Sequence, residues 1–167
     1  MKEINIRDIK VSAPELISDG WGLVTSGTDE KFNTMTVSWG ALGEIWGKDA
    51  AFIFIRKRRY TYEFLESNSL FTLSFYDKKY RDALTLCGKK SGRDIDKVAE
   101  TGLTPVFTDG TVTFGEAKYT LVCRIMGATE LTPDTFLDSE INDCYNEKTA
   151  GDYHKMYIAE IVKVYEN

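Results

Sequence analysis

The sequence has no apolar stretch long enough to cross a membrane. It also has few residues of the kind that mark a linker between domains. The longest uninterrupted apolar stretch covers residues 50–55, whereas a membrane-spanning helix needs roughly 20 residues. Residues 1–10 alternate charges with isolated apolar residues, unlike a signal peptide. The 167 residues include only three prolines and no low-complexity or repeated tract. We therefore expect no membrane contact, no signal peptide and a single domain over residues 1–167.

Cysteine and histidine are also scarce. Cys87, Cys123 and Cys144 are odd in number, widely spaced and without a C-x-x-C pair, which favours reduced thiols in the cytoplasm and argues against a zinc site. His154 is the only histidine. A metal site built from several histidines is therefore excluded, and we expect no bound metal.

Several catalytic motifs are absent from the sequence. There is no G-x-G-x-x-G, no G-x-x-x-x-G-K-[ST], no G-x-S-x-G and no H-E-x-x-H. These absences argue against a Rossmann dinucleotide site, a phosphate-loop NTPase, an α/β-hydrolase and a zinc protease.

Positive charge is concentrated in one part of an acidic chain. Residues 56–97 contain eleven Lys or Arg against six Asp or Glu, a local net charge of +5 in a protein of net charge −5. This distribution favours either a small anionic ligand or a solvated basic face. The negative net charge of the whole chain argues against a nucleic-acid partner, because binding to nucleic acid requires a broad basic surface.

The hydrophobic pattern predicts many short strands and a few short helices. Predicted strands are rich in Val, Ile, Thr and Phe and cover 22–26, 34–40, 50–56, 70–75, 112–114, 118–128 and 154–165, with unbroken alternation through the last. Predicted helices cover 61–66, 80–87 and 94–101. This order predicts a mainly β fold, an antiparallel β-barrel, closed or partly open, with short α-helices as connectors.

Two stretches carry groups that suit a phosphate. Hydroxyl and apolar residues alternate through Asn33–Trp39, which places Thr34, Thr36 and Ser38 on one face of a strand; a half-exposed strand with β-favouring threonines explains the same pattern. Residues 56–61 end a buried strand in a basic turn that enters a helix. Guanidinium groups and free helix amides are groups that bind phosphate, but a solvated basic turn explains the same residues equally well.

Four motifs, taken together, resemble one family. They are Asn33-Thr-Met-Thr-Val-Ser-Trp-Gly40, Ile55-Arg-Lys-Arg-Arg-Tyr-Thr-Tyr-Glu-Phe-Leu-Glu66, Leu86-Cys-Gly-Lys-Lys-Ser-Gly-Arg-Asp-Ile-Asp-Lys97 and Gly151-Asp-Tyr-His-Lys-Met-Tyr-Ile-Ala-Glu-Ile161. Over residues 15–165 the chain resembles the flavoredoxin-type branch of the flavin reductase-like FMN-binding proteins. The resemblance implies an FMN-binding split β-barrel of Greek-key type, a homodimer with flavin near the subunit interface, and electron transfer through FMN.

The resemblance also implies roles for particular residues. Those expected along the flavin are Asn33, Thr34, Met35, Thr36, Val37, Ser38 and Trp39. Arg56, Arg59, Tyr60 and Thr61 match the stretch that holds the phosphate, and Ser91, Gly92 and Lys97 match a loop and helix that close over the cofactor. Lys97 would place positive charge near the ring, which favours the reduced anionic flavin. His154 matches a catalytic histidine on the substrate side of the ring.

Some assignments stay open at this point. Arg58 departs from the small polar residue expected there, so the arginine of 56–59 that holds phosphate is not determined. Cys87 fits either a motif position or a buried apolar site. Trp39 and Trp46 suit either ring shielding or barrel packing.

The function also has three interpretations. The first is an oxidoreductase that passes electrons from NADH, NADPH or a reduced protein to flavin, metal or a redox partner. The second is a non-enzymatic electron carrier, and the third is a flavin-binding dimer without turnover.

Overall fold

The computed structural model describes residues 1–145, 149 and 151–167, and strands dominate this part of the chain. The strands are β1 (Lys2–Ile4), β2 (Gly22–Gly27), β3 (Phe32–Val37), β4 (Gly40–Ile45), β5 (Lys48–Arg56), β6 (Leu70–Phe75), β7 (Pro105–Thr108), β8 (Thr111–Phe114), β9 (Tyr119–Glu130) and β10 (His154–Glu166). The helices are α1 (Tyr60–Ser67), α2 (Arg81–Lys89) and α3 (Lys97–Thr101), with short 3-10 turns at Ile6–Asp8, Lys78–Tyr80, Pro133–Thr135 and Ser139–Tyr145 and a π-helical turn at Glu15–Gly20.

Eight strands form one antiparallel sheet. Its order is β3-β2-β6-β9-β10-β5-β4, with β1 added to the end of β10, while β7 and β8 form a separate hairpin. The two terminal strands, β3 and β4, do not pair with each other, so the sheet is open. The predicted mainly β fold with short helices is confirmed. No helix in the described ranges is long and apolar enough to cross a membrane.

Two clusters of buried side chains hold the sheet and helices together. The larger collects apolar residues from β2, β5, β6, β9 and β10, among them Ile53, Phe71 and Tyr157. The smaller places Leu84 and Cys87 of α2 against β2 and the β8 hairpin. Leu84 and Cys87 are three residues apart, so they share one face of α2. Burial of this face fixes the position of α2 beside β3.

The chain crosses from one edge of the sheet to the other after β3. The predicted strand 34–40 ends at Val37, because Val37 pairs with Gly22, the first residue of β2. Ser38 and Trp39 have no strand partner, and Gly40 begins β4 on the opposite edge by pairing with Ile53. The single strand expected at residues 34–40 is therefore three pieces: the end of β3, the two-residue crossing, and the first residue of β4.

Strand β10 departs from the predicted alternation at a β-bulge. Tyr157 and Ala159 are buried as alternate residues, but the register against β9 shifts between Ile161 and Lys163. Val162 is the extra residue and is exposed, and Val164 returns to the buried side. A bulge adds one residue and reverses the facing of those after it.

The predicted helices form, but α3 starts later than expected. It begins at Lys97 rather than residue 94, because the Asp96 carboxylate accepts hydrogen bonds from the amides of Val98 (2.9 Å) and Ala99 (3.1 Å). An Asp at the N-cap satisfies free amides at a helix start. Gly102 ends the helix with a φ of 69°, in the left-handed conformation that glycine favours.

Candidate functional site

Two clefts meet beside the crossing between β3 and β4. The first, called here the inner cleft, has a volume of about 300 Å³. It is lined by Met35, Thr36, Val37, Ser38, Trp39, Phe54, Arg56, Arg58, Arg59, Gly88 and His154. These residues come from the end of β3, the end of β5, the start of β10 and α2. The inner cleft therefore lies at the gap between the two edges of the open sheet.

The second cleft continues from the first toward the start of α1. This middle cleft has a volume of about 260 Å³ and is lined by Asn33, Met35, Arg58, Arg59, Tyr60, Thr61, Lys89, Lys90, Ser91, Gly92 and Lys97. Met35, Arg58 and Arg59 line both clefts, so the two form one groove. Apart from Thr34, every predicted site residue lines this groove.

The groove is strongly basic. Six cationic residues line it: Arg56, Arg58, Arg59, Lys89, Lys90 and Lys97, and no acidic residue of the described chain does so. Asp152 reaches two of the arginines, lying 2.8 Å from Arg58 and 3.9 Å from Arg56. Arg56 Nη1 is buried without a hydrogen-bond partner, although a buried donor normally has one. Arg58, Lys89 and Lys90 are exposed, Arg56 and Arg59 are half-buried and Lys97 is buried. This concentration of positive charge in one groove favours an anionic ligand.

Two cations, the buried Lys97 and the half-buried Arg59, hold the end of α2. Arg59 Nη2 donates to the carbonyl oxygens of Gly88 (2.7 Å) and Cys87 (3.4 Å), and Lys97 Nζ donates to those of Cys87 (2.9 Å) and Thr34 (2.7 Å). Burial, together with the Arg59 charge, lowers the pKa of Lys97 to about 8. Burial and the neighbouring Arg58 also lower the pKa of Arg59. Cations at a helix C-terminus are stabilised by its free carbonyls, which offsets part of the cost of burying them.

A hydrogen bond joins β3 to α1 across the middle cleft. Asn33 Nδ2 donates to Thr61 Oγ1 at 2.7 Å. A Cβ atom on Gly92 would lie 2.0 Å from Asn33 Oδ1, far inside van der Waals contact. Glycine at 92 is therefore needed for the loop to approach β3 this closely.

The two predicted strand threonines differ in their surroundings. Thr34 is buried; its hydroxyl accepts a hydrogen bond from Thr25 (2.9 Å) and donates to the Val24 carbonyl (3.3 Å). Only its backbone carbonyl, which accepts from Lys97, connects it to the middle cleft. Thr36 lines the inner cleft and donates its hydroxyl proton to the Leu84 carbonyl of α2.

His154 lies at the far wall of the inner cleft among aromatic and charged groups. Its Nδ1 is 2.7 Å from Tyr145 Oη, its Nε2 accepts from Arg56 Nε at 3.4 Å, and its ring centroid is 4.9 Å from that of Trp39. Burial and the Arg56 charge lower the pKa of His154 to about 4. The ring is therefore neutral at pH 7, and acceptance at Nε2 places its proton on Nδ1.

The structure adds residues that the sequence reasoning did not assign to the site. Lys89 and Lys90 lie within the third motif, so their adjacency to Ser91 was a usable signal. Tyr145 stacks on Phe136 and packs against Tyr153, with centroid distances of 5.6 and 4.8 Å. No sequence motif marks Tyr145, which lies in a 3-10 turn outside the regular elements.

Comparison with known proteins places the chain in the flavin reductase-like family. The flavin reductase like domain matches residues 15–167, so the chain belongs to that family and the prediction from the four motifs is confirmed. No curated protein matches it.

The fold is similar to several solved structures. A flavoredoxin from Methanosarcina acetivorans has a TM-score of 0.70 at 18% identity, with 89% of this chain and 68% of that chain covered. An FMN-binding protein from Thermus thermophilus with bound 1-cyclohex-2-enone has a TM-score of 0.67 at 20% identity (87% and 69% covered). A flavoredoxin of Desulfovibrio vulgaris (Miyazaki F) has a TM-score of 0.67 at 21% identity (88% and 69% covered).

Proposed function

We propose that this protein binds FMN in the groove formed by the inner and middle clefts and passes electrons through it. The observation that carries the proposal is the basic groove itself. Six cationic residues line it, and no acidic residue of the described chain does. Family membership and the FMN-binding name of a structural neighbour support FMN as the flavin.

The residues present fit the two ends of FMN. The middle cleft combines Arg59, Lys97 and the hydroxyls of Thr61 and Ser91, a donor set suited to a phosphate. Arg56 lines the inner cleft, and its Nη1 has no hydrogen-bond partner, so a ligand acceptor would satisfy it. The inner cleft has the flat side chains of Trp39, Phe54 and His154, which suit the isoalloxazine ring.

The protein residues around the ring have separate tasks in this proposal. The isoalloxazine supplies the redox chemistry when bound. Trp39 and Met35 shield the groove from water, and Asn33 to Val37 present β3 along it. Lys97 lines the middle cleft and not the inner one, so its positive charge serves the phosphate end rather than the ring to which the resemblance assigned it. His154 is neutral at pH 7 and both of its ring nitrogens are bonded within the protein, so it presents an uncharged ring to the electron donor or acceptor.

The two ends of the groove are tested by paired variants. Replacement of Arg59 and Thr61 by alanine is expected to weaken FMN binding by roughly 1.5–3 kcal/mol per lost charged hydrogen bond. His154→Ala is expected to retain FMN and to slow its reduction by the donor. Arg124→Ala, on β9 away from both clefts, is the matched control. Isothermal titration, melting temperature and donor-dependent bleaching are measured for each variant.

The outcomes separate the assignments. Full FMN affinity in the Arg59/Thr61 variant together with flavin loss in His154→Ala would reverse the two ends of the groove. If His154→Ala lowers only the melting temperature, and the reduction rate per bound flavin is unchanged, His154 is a packing residue. A protein that binds no FMN at micromolar concentration would overturn the proposal as a whole.

The donor is tested by anaerobic mixing with NADH and NADPH while flavin absorption is followed. Bleaching by either nucleotide supports an oxidoreductase, the function we favour. An FMN-loaded protein that neither nucleotide reduces, but that a reduced redox protein does, is an electron carrier. The fold similarity to two flavoredoxins makes the carrier the second candidate. If none of these donors reduces the bound flavin, the protein binds flavin without turnover.

We further propose that residues 1–167 act as one domain in a cytoplasmic homodimer. The Trp39 side chain beside the inner cleft is 47% exposed, and a second subunit would cover this open side of the groove. All three cysteines are free, as expected in a reducing compartment. Sedimentation that shows an FMN-loaded monomer of 18.9 kDa would contradict the dimer.

A further inference from the structure

Tyr145 touches the inner cleft through His154. It is the last residue of the 3-10 turn Ser139–Tyr145, in the connection between β9 and β10, and it is half-buried. Its Oη lies 2.7 Å from Nδ1 of His154, the first residue of β10. Because His154 lines the inner cleft, a residue outside every strand and α-helix contacts one of the rings that form the wall of this cleft.

The hydrogen bonds around His154 run in one direction. A guanidinium group only donates, and Arg56 Nε donates to His154 Nε2 at 3.4 Å. Nε2 is therefore the acceptor nitrogen of the neutral ring, and Nδ1 carries the proton that is donated to Tyr145 Oη. At 2.7 Å the contact with Tyr145 is the shorter of the two, so it is the stronger restraint on the ring.

Arg56 and Tyr145 also contact each other. The Arg56 guanidinium lies over the Tyr145 ring, 5.3 Å from its centroid, and Arg56 Nη2 donates to the carbonyl oxygen of Cys144 at 3.3 Å. Arg56 ends β5 and is the strand partner of His154. Each of the three side chains, Arg56, Tyr145 and His154, therefore contacts the other two.

The ring of Tyr145 is held without its hydroxyl. Phe136 stacks on it with a centroid distance of 5.6 Å and an interplanar angle of 13°, and Tyr153 packs against it at 4.8 Å. These contacts would remain if Tyr145 were phenylalanine. The hydroxyl can therefore be removed with little change to the packing, which separates its role from that of the ring.

Packing alone does not select one orientation of the His154 ring. Rotation about the bond from Cβ to the ring of a histidine is broad and roughly two-fold, and a half-turn would exchange Nδ1 with a carbon atom of similar size. On its other side His154 has the Trp39 ring, 4.9 Å away and tilted by 41°, which forms no hydrogen bond that distinguishes the two orientations. The bond to Tyr145 does distinguish them.

We propose that Tyr145 is a positioning residue for the electron-transfer reaction: its hydroxyl holds the His154 ring in one tautomer and one orientation, so that the ring presents a fixed surface to the electron donor in the inner cleft. Tyr145 is not among the residues that line the cleft, and it acts through His154. The inference rests on the proposed function, because it requires a flavin ring in the inner cleft.

The first test reads the state of His154 in the ligand-free protein. Tyr145→Phe removes Oη and keeps the aromatic ring. Tyr153→Phe, the control, removes a hydroxyl from the same group of rings and leaves the contact of Tyr145 with His154 in place. His154 is the only histidine, so a long-range ¹H–¹⁵N correlation spectrum at pH 7 reports its tautomer directly. The wild type and Tyr153→Phe should show a proton on Nδ1 alone, and Tyr145→Phe should show a mixture of tautomers.

The second test is the rate of reduction per bound flavin, measured with the donor that reduces the wild type: NADH, NADPH or a reduced redox protein. Tyr145→Phe should lower this rate roughly three- to tenfold, the effect of one neutral hydrogen bond, and leave the Kd of FMN unchanged. Tyr153→Phe should leave both unchanged. Tyr145→Phe combined with His154→Ala should be no slower than His154→Ala alone, because the effects of residues that act through one another do not add.

Three results would overturn the proposal while the flavin site stands. The first is a proton on Nδ1 alone in Tyr145→Phe, since Arg56 and packing would then suffice to hold the ring. The second is a mixture of tautomers with an unchanged reduction rate, which would make Tyr145 a structural residue only. The third is a double variant slower than His154→Ala, which would show that Tyr145 acts independently of His154.

Failure of the proposed function has a different signature. If the wild type binds no FMN, the proposed function is wrong and the kinetic role of Tyr145 is wrong with it. If the wild type binds FMN but no donor reduces it, the flavin site stands and Tyr145 has no role in reduction.

Discussion

Lys97 provides a quantitative test of the buried charge in the groove. Its side chain is 6% exposed, and its ammonium donates to two backbone carbonyls. Among the described residues no carboxylate lies within ion-pair distance of it. Burial lowers its pKa from 10.5 to about 8. At roughly 1.4 kcal/mol per pH unit, keeping Lys97 protonated is about 3 kcal/mol less favourable in the folded protein than in the unfolded chain.

The sign of the pH dependence follows from proton binding. Between pH 8 and 10.5 the unfolded chain holds the Lys97 proton and the folded protein does not, so stability rises with pH in that window. Without ligand, the free energy of unfolding of the wild type should therefore rise by up to about 3 kcal/mol relative to Lys97→Met between pH 7 and 10.5. The variant has a side chain of similar length without an ionisable group.

Urea denaturation of the ligand-free proteins at several pH values measures this difference. Lys10→Met, at an exposed site, is the control for loss of a lysine, and its curve should run parallel to the wild type. With saturating FMN the rise should shrink, because the phosphate favours the protonated ammonium. Parallel curves for the wild type and Lys97→Met would refute the reasoning, since they would show that Lys97 keeps its proton despite burial.

Two further predictions concern the inner cleft and the core. His154, the only histidine, has a pKa of about 4, so its ring-proton NMR signal should titrate near pH 4; stability should fall as the pH drops from 6.5 to 4, because the unfolded histidine takes up a proton first. A midpoint near 6.5 would contradict its burial. The hydroxyl of Tyr157, whose side chain is 1% exposed, donates to Glu66 at 2.6 Å. Tyr157→Phe should lower the free energy of unfolding by about 1–2 kcal/mol in urea denaturation, and an unchanged midpoint would show that water replaces the bond.

The strands that the sequence predicted are those with a strong physical signal. The apolar run 50–55 lies within β5, which pairs on both sides and buries Ala51, Ile53 and Ile55. Strand β4 was not predicted, because Gly40 and Gly43 weaken its strand propensity and its position at the sheet edge removes the need for an apolar pattern. Strand β7 starts with Pro105, which is tolerated in a short hairpin but reads as a breaker in sequence.

The sequence predicted which residues line the site but not the hydrogen bonds that those residues make. The motifs brought together the residues of the inner and middle clefts. They did not show that Arg59 and Lys97 bond to the end of α2, or that the hydroxyl of Thr34 is occupied by β2. These contacts join residues far apart in sequence, and local patterns carry no information about such pairs. Tyr145 lay outside the prediction for the same reason.

The crossing at Ser38 and Trp39 has a mechanical consequence. These two residues are the only covalent link that runs directly from edge strand β3 to edge strand β4. A ligand that contacts Met35 on β3 and Arg56 at the end of β5 would join two strands that do not pair with each other. Amide hydrogens of β3 and β5 should then exchange more slowly together when the ligand is bound, although the two strands share no backbone hydrogen bond.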